Sequence, residues 1–111
     1  MEKVIVINND TFGHGDRELG EKLMGAFLKK IWARNEKPEA IILYNSGVKL
    51  AAKGSKVIDV LTGLSECGVE LLACGTCINY YELKDKMLVG RISNMEEISS
   101  MMMEAKSVIT I

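Results

Sequence analysis

The chain has one proline, one histidine, one tryptophan and three cysteines among its 111 residues, and each scarcity excludes something. One proline leaves no proline-rich linker between domains. A zinc site would have to gather Cys67, Cys74, Cys77 and His14, because no second ligand pair stands at the usual spacing. Aromatics are few (one Trp, three Tyr, two Phe), so the core must be aliphatic. The longest apolar runs are four or five residues, far short of the roughly 20 that span a bilayer. Met1-Glu2-Lys3 before Val4 is too short for a signal peptide. Net charge is −1 with the signs interspersed, so no basic stripe awaits a nucleic acid. Neither GxGxxG nor GxxxxGK[ST] occurs. Gly13-His14-Gly15 is a weak substitute, and no cofactor is called for.

What is present reads as one α/β domain over residues 1–111. The hydrophobic fraction of 48% supplies a core without metals or disulfides. Three cysteines without an export signal place the chain in the reducing cytoplasm with free thiols. Val4–Ile7 is a continuous apolar run of strand length, as a strand covered on both faces requires. Asn8–Gly15 is loop, and a helix follows over Asp16–Arg34 with Leu19, Leu23, Phe27 and Ile31 on its apolar face. Pro38 precedes a second strand, Ala40–Tyr44, and Asn45-Ser46-Gly47 is the loop after it. Ser55 caps a helix whose apolar face is Val57, Ile58, Leu61 and Leu64. A third strand, Val69–Ala73, enters Cys74-Gly75-Thr76-Cys77 and a short helix over Ile78–Leu83. Met87–Val89 is a weaker fourth strand. Ser93-Asn94-Met95-Glu96 has capping-box spacing before a helix burying Met95, Ile98, Met102 and Ala105. The run Met101–Met103 divides between core and surface, and Val108–Ile111 is the fifth strand.

Strands joined by helices run parallel with right-handed crossovers. The expected architecture is a five-stranded parallel sheet with helices on both faces, in the flavodoxin-like order 2-1-3-4-5. Ligands bind such sheets beyond the strands' carboxyl ends, where strand order reverses. That order puts the Asn8–Gly15 loop and the Cys74–Cys77 turn on one cleft. Cys74 would stand at the strand end before a helix that Thr76 caps. Peptide N–H groups there favour a thiolate, with a pKa lowered to roughly 3.5–7.5. Gly75 gives the backbone room to turn, and Cys77 is close enough to resolve a modified Cys74. His14 would assist proton transfer or bind an anion, or would simply be solvated. Asn9, Asp10 and Thr11 would hydrogen-bond a ligand in the cleft, Asp10 and Thr11 serving alternatively as helix caps. Cys67 reads as packed rather than reactive.

The strand Val69–Ala73 followed by Cys74-Gly75-Thr76-Cys77-Ile78 resembles the DsrE/DsrF-like sulfur-relay proteins. The likeness is closer still to the C-terminal domain of YedF-type proteins, which are sulfurtransferase-like and linked to selenium metabolism. It rests on Asn8-Asn9-Asp10, Leu72–Tyr81 and Val89-Gly90-Arg91-Ile92-Ser93-Asn94-Met95. The resemblance implies that Cys74 accepts sulfur as a persulfide, that Cys77 is a second thiol, and that the Asn9–Gly15 loop walls the cleft. It implies sulfur donor and acceptor proteins, TusA-like carriers among them, and a homo-oligomer, trimer or hexamer. Two departures stand out. Many relatives place Arg-Gly shortly after the cysteine, where this chain has Tyr81-Glu82, and YedF-type proteins carry a TusA-like domain that this sequence does not contain.

Three readings follow: a sulfur or selenium carrier, a CxxC dithiol oxidoreductase, and a non-catalytic ligand-binding or assembly module. Against the oxidoreductase, a thioredoxin-like site needs a cis-proline facing its CxxC, and Pro38 falls at the opposite end of the sheet.

Overall fold

The structure, a computed structural model, describes residues 2–111; Met1, part of the short N-terminus considered above, lies outside them. Its elements in chain order are β1 (Lys3–Ile7), α1 (Arg17–Ala33), β2 (Ala40–Leu43), a 3₁₀ segment (Asn45–Ala51), α2 (Ile58–Glu66), β3 (Glu70–Cys74), α3 (Gly75–Tyr80), a 3₁₀ turn (Lys84–Lys86), β4 (Arg91–Ser93), α4 (Met95–Glu104) and β5 (Ser107–Thr110). The five strands form one sheet in which every pairing is parallel. Among the described residues no helix is long and apolar enough to cross a membrane.

The strand order is β4-β3-β2-β1-β5, which corrects the expected 2-1-3-4-5. The reason lies in which face each helix covers. Side chains alternate along a strand, so Ile5, Ile7, Ile41, Leu43, Leu71 and Ala73 share one face. Met24 and Leu28 of α1, Leu61 and Leu64 of α2, and Ile78 of α3 all pack on it. Right-handed crossovers on one face step always in the same direction, so β2, β3 and β4 follow β1 outward in turn. Only α4 lies on the other face, where Ile98 and Met101 cover Val4, Val6, Ala40, Ile42, Leu72 and Cys74. That reversal carries β5 back beside β1. Burial of Ile98 alone contributes about 1.5–3 kcal/mol. The expected helices on both faces are present, divided three to one.

Several local expectations shift by a residue or a turn. The buried row of α1 is Gly20, Met24 and Leu28, not Leu19 and Leu23, which are exposed. Glycine decides this: a Cβ on Gly20 would sit 2.6 Å from the Cβ of Thr11, so only glycine lets the first loop close on that row. Trp32 similarly covers Gly63, where a Cβ would meet its ring at 2.2 Å, and this fixes α1 beside α2. Asp16 caps α1 by accepting the Leu19 N–H at 2.9 Å. Ser55 accepts the Val57 N–H at 3.2 Å, but Val57 itself is the residue before α2. The cap of α4 is Asn94, accepting the Glu97 N–H at 2.9 Å, one position beyond the expected box. Met101 is buried and Met102 half-buried, while Met95 and Met103 are exposed. The fourth strand is Arg91–Ser93 rather than Met87–Val89, because Gly90 turns the chain at φ 82° against the Leu71 carbonyl. Met87 makes an isolated antiparallel bridge to Ala52 instead.

Candidate functional site

All five strands point the same way, so the loops after β1, β2 and β3 share one edge of the sheet. With β2 between β1 and β3, the first loop and the cysteine turn do not meet directly, as the sequence reading required. The segment after β2 joins them. Ser46 donates its hydroxyl to Asn9 Oδ1 at 2.9 Å and accepts the Asp10 N–H at 3.3 Å. One residue earlier, the Asn45 N–H donates to Cys77 Sγ at 3.0 Å. Tyr81 Oη donates to Asn45 Oδ1 at 3.3 Å. Asn45 holds a left-handed backbone, φ 52°, a conformation that asparagine tolerates better than most residues. Gly47 permits the whole arrangement, because its Cα packs where a Cβ would lie 2.3 Å from the Ile7 carbonyl oxygen.

The cysteines differ from expectation. Cys74 ends β3 on the α4 face and is only 3% exposed, within the buried cluster that also holds Leu72 and Ile98. It also occupies the cap position of α3, with no side-chain cap hydrogen bond. Thr76 is an exposed residue of the first turn and not the cap. Gly75 serves by close approach: a Cβ there would be 2.9 Å from the Ser93 carbonyl oxygen on β4. Cys77 is half-buried and is the more accessible thiol of the pair. Burial pushes its pKa above the ordinary thiol value; the Asn45 N–H pulls it down, and the adjoining Cys74 sulfur raises it again. Cys67, expected to be packed, is exposed.

In the first loop, Thr11 is buried and donates to the Gly13 carbonyl at 2.9 Å, which shapes the loop rather than capping α1. Asp10 takes both Arg17 Nη atoms, at 3.3 and 2.5 Å. Burial alone would raise the Asp10 carboxyl, but the Arg17 guanidinium and Lys49 outweigh it and hold it below the usual range. His14 is exposed and joins neither the Ser46 hydrogen bonds nor the Asp10–Arg17 pair. Among the described residues no three metal-ligating side chains come together. Sequence reasoning thus missed Asn45 and Ser46. Their signal was position alone: in a parallel sheet the loop after the second strand lies on the same edge as the other two.

Fold and site together define a small parallel α/β protein with a pair of thiols at the carboxyl edge of its sheet. A model of the DsrE/DsrF-like family matches residues 1–111, and the chain belongs to that family, which is associated with sulfur relay. The fold is similar to the ychN protein of E. coli, with 17% identity, full coverage of both chains and a TM-score of 0.68. It is also similar to MTH1491 of Methanobacterium thermoautotrophicum (18% identity, 99% and 98% coverage, TM-score 0.71). A third such structure is BT1422 of Bacteroides thetaiotaomicron (15% identity, 99% and 95% coverage, TM-score 0.72). A comparison with curated proteins found no match.

Proposed function

We propose that the protein is a persulfide carrier of sulfur relay, in which sulfane sulfur arrives at Cys77 and is held at Cys74 behind it. The observation that carries this reading is the Asn45 N–H aimed at Cys77 Sγ beside a second, buried thiol. A main-chain donor placed on sulfur stabilises the anionic form, whether thiolate or persulfide. In the first step the Cys77 thiolate attacks the outer sulfur of a donor persulfide. The donor S–S bond breaks, its electron pair leaves on the donor thiolate, and that thiolate takes up the proton Cys77 released. In the second, Cys74 attacks the same outer sulfur and Cys77 is regenerated. No net oxidation occurs, and the burial of Cys74 shields the cargo from reductants. Donor and acceptor are partner proteins, and the carrier turns over only through them.

Intact mass after incubation with a protein persulfide donor tests the proposal. In a Cys67→Ser background, which removes the exposed third thiol, the otherwise unchanged protein gains one sulfur, about 32 Da. Adding Cys77→Ser abolishes that gain, and adding Cys74→Ser leaves a sulfur that a mild thiol strips faster than from the parent. A Cys77→Ser protein loaded at the parent's rate refutes the order of events. A species two hydrogens lighter that needs both cysteines makes the pair a dithiol oxidoreductase. An unchanged mass throughout makes it an inert module.

A further inference from the structure

A hollow of about 410 Å³ lies between the first turns of α1, the end of the 3₁₀ segment with the residues after it, and the chain after α3. Its volume falls within the range of small-molecule sites. Two kinds of side chain line it. Met24, Leu50, Val57 and Leu83 line it with apolar surface. Arg17, Lys49, Lys53 and Lys56 bring four cations to it, against the two carboxylates Asp10 and Glu21. The carboxylates are already engaged: Asp10 by Arg17 at 2.5 Å and Glu21 by Lys56 at 3.4 Å. Lys49 and Lys53 form no ion pair among the described residues. Lys49 rests its ammonium 4.4 Å over the ring of Tyr81, which is itself a wall of the hollow. A concave site lined by uncompensated positive charge concentrates anions, and its apolar floor rewards a ligand with a nonpolar body.

We propose that this hollow is a binding site for a small amphipathic anion, a sulfonate, sulfinate or carboxylate on an apolar body, whose charged group meets Lys49 and Lys53. The site shares Tyr81 with the hydrogen bonds that reach Cys77 through Asn45, yet its existence does not depend on the persulfide chemistry.

The test titrates the full chain with benzenesulfonate, which has no transferable sulfur, by calorimetry at about 0.15 M salt, where charges beyond about 8 Å are screened. Binding is expected to be saturable and about tenfold weaker in Lys49→Gln/Lys53→Gln. Methanesulfonate, lacking the ring, and methyl phenyl sulfone, lacking the charge, are each expected to bind at least about tenfold more weakly than benzenesulfonate. Lys29→Gln/Lys30→Gln, on the exposed side of α1, is expected to bind like wild type, and unchanged thermal melts confirm that each variant is folded. The proposal is overturned if no saturable binding occurs, if the Lys49/Lys53 variant binds as wild type does, or if the Lys29/Lys30 variant loses as much. Sulfur loading of the cysteines without benzenesulfonate binding would sink this site and spare the carrier; the converse would do the reverse.

Discussion

Gly47→Ala is the smallest change that strikes the junction on which the site depends. A Cβ at this position would lie 2.3 Å from the Ile7 carbonyl oxygen, 3.0 Å from the Ile7 carbonyl carbon and 3.4 Å from the Asn9 nitrogen. All three are main-chain atoms, so no side chain can swing aside. β1 cannot retreat either, since it is paired on both sides, with β2 and β5. Restoring ordinary contact distances near 3.5 Å requires the Asn45–Ala51 segment to move by roughly 1 Å. Overpacking of this kind costs about 1–3 kcal/mol, and rigid backbone on both sides puts this case at the upper end. For a chain of this length a loss of about 2–3 kcal/mol lowers Tm by about 9–13 °C. Gly25→Ala is the matched control, a helical glycine with nothing within 4 Å of its added methyl. It is expected to stabilise by about 0.5–1 kcal/mol and raise Tm by about 2–4 °C. Thermal unfolding followed by circular dichroism, with urea midpoints as a second measure, reads both. The same shift carries the Asn45 N–H away from Cys77, so thiol alkylation slows in Gly47→Ala alone. A Gly47→Ala melt within about 2 °C of wild type would refute the close approach and the argument built on it.

The Cys77 thiol, raised by burial, should react with iodoacetamide with a midpoint above the ordinary thiol range. At pH 8 it should react more slowly than the exposed Cys67, as peptide mapping after timed alkylation will show; equal rates would refute the assignment. Arg91 holds the Glu97 carboxyl by paired hydrogen bonds, helped by the Ser93 hydroxyl, and lowers its pKa from 4.5 to about 2. A folded-state value below the unfolded one means that Glu97 contributes stability above about pH 4.5, lost as pH falls toward 2. Urea midpoints at pH 6 and pH 3 should therefore fall further for wild type than for Glu97→Gln; equal falls would dismiss the pairing.

The strands were largely readable because β-branched apolar runs such as Val4–Ile7 have few alternatives to burial on both faces. The long helix was readable at its ends, where Asp16 and Arg34 mark the change in backbone, but not on its faces. The rows beginning at Leu19 and at Gly20 both repeat every four residues, and hydrophobicity favoured the first, of which only Phe27 and Ile31 pack against the core. What selected the other was the absence of a side chain at Gly20, and absence carries no hydropathy signal. Strand order was hidden for a similar reason, since it depends on α1 and α2 covering the same sheet face side by side, where Trp32 meets Gly63, a contact between residues thirty-one positions apart. The family likeness carried by Cys74–Ile78 reached the right class of protein. It did not reveal that Cys74 is buried while Cys77 stays half-exposed against the Asn45 N–H, because that depends on the alternation of β3 and the placement of α4. Asn45 and Ser46 were passed over as linker because Asn45 contributes through its peptide N–H and Ser46 through a bridging hydroxyl, neither of which stands out in the sequence as a reactive group.

Asn45 offers its peptide hydrogen, not its amide, to the sulfur. Swapping the residue's side chain for any but proline, which has no N–H, therefore leaves that donor chemically intact. The thiol's chemistry is in this way underwritten by architecture: genetic drift at position 45 among the other residues can tune how firmly the loop sits, through Tyr81, without removing the group that touches Cys77.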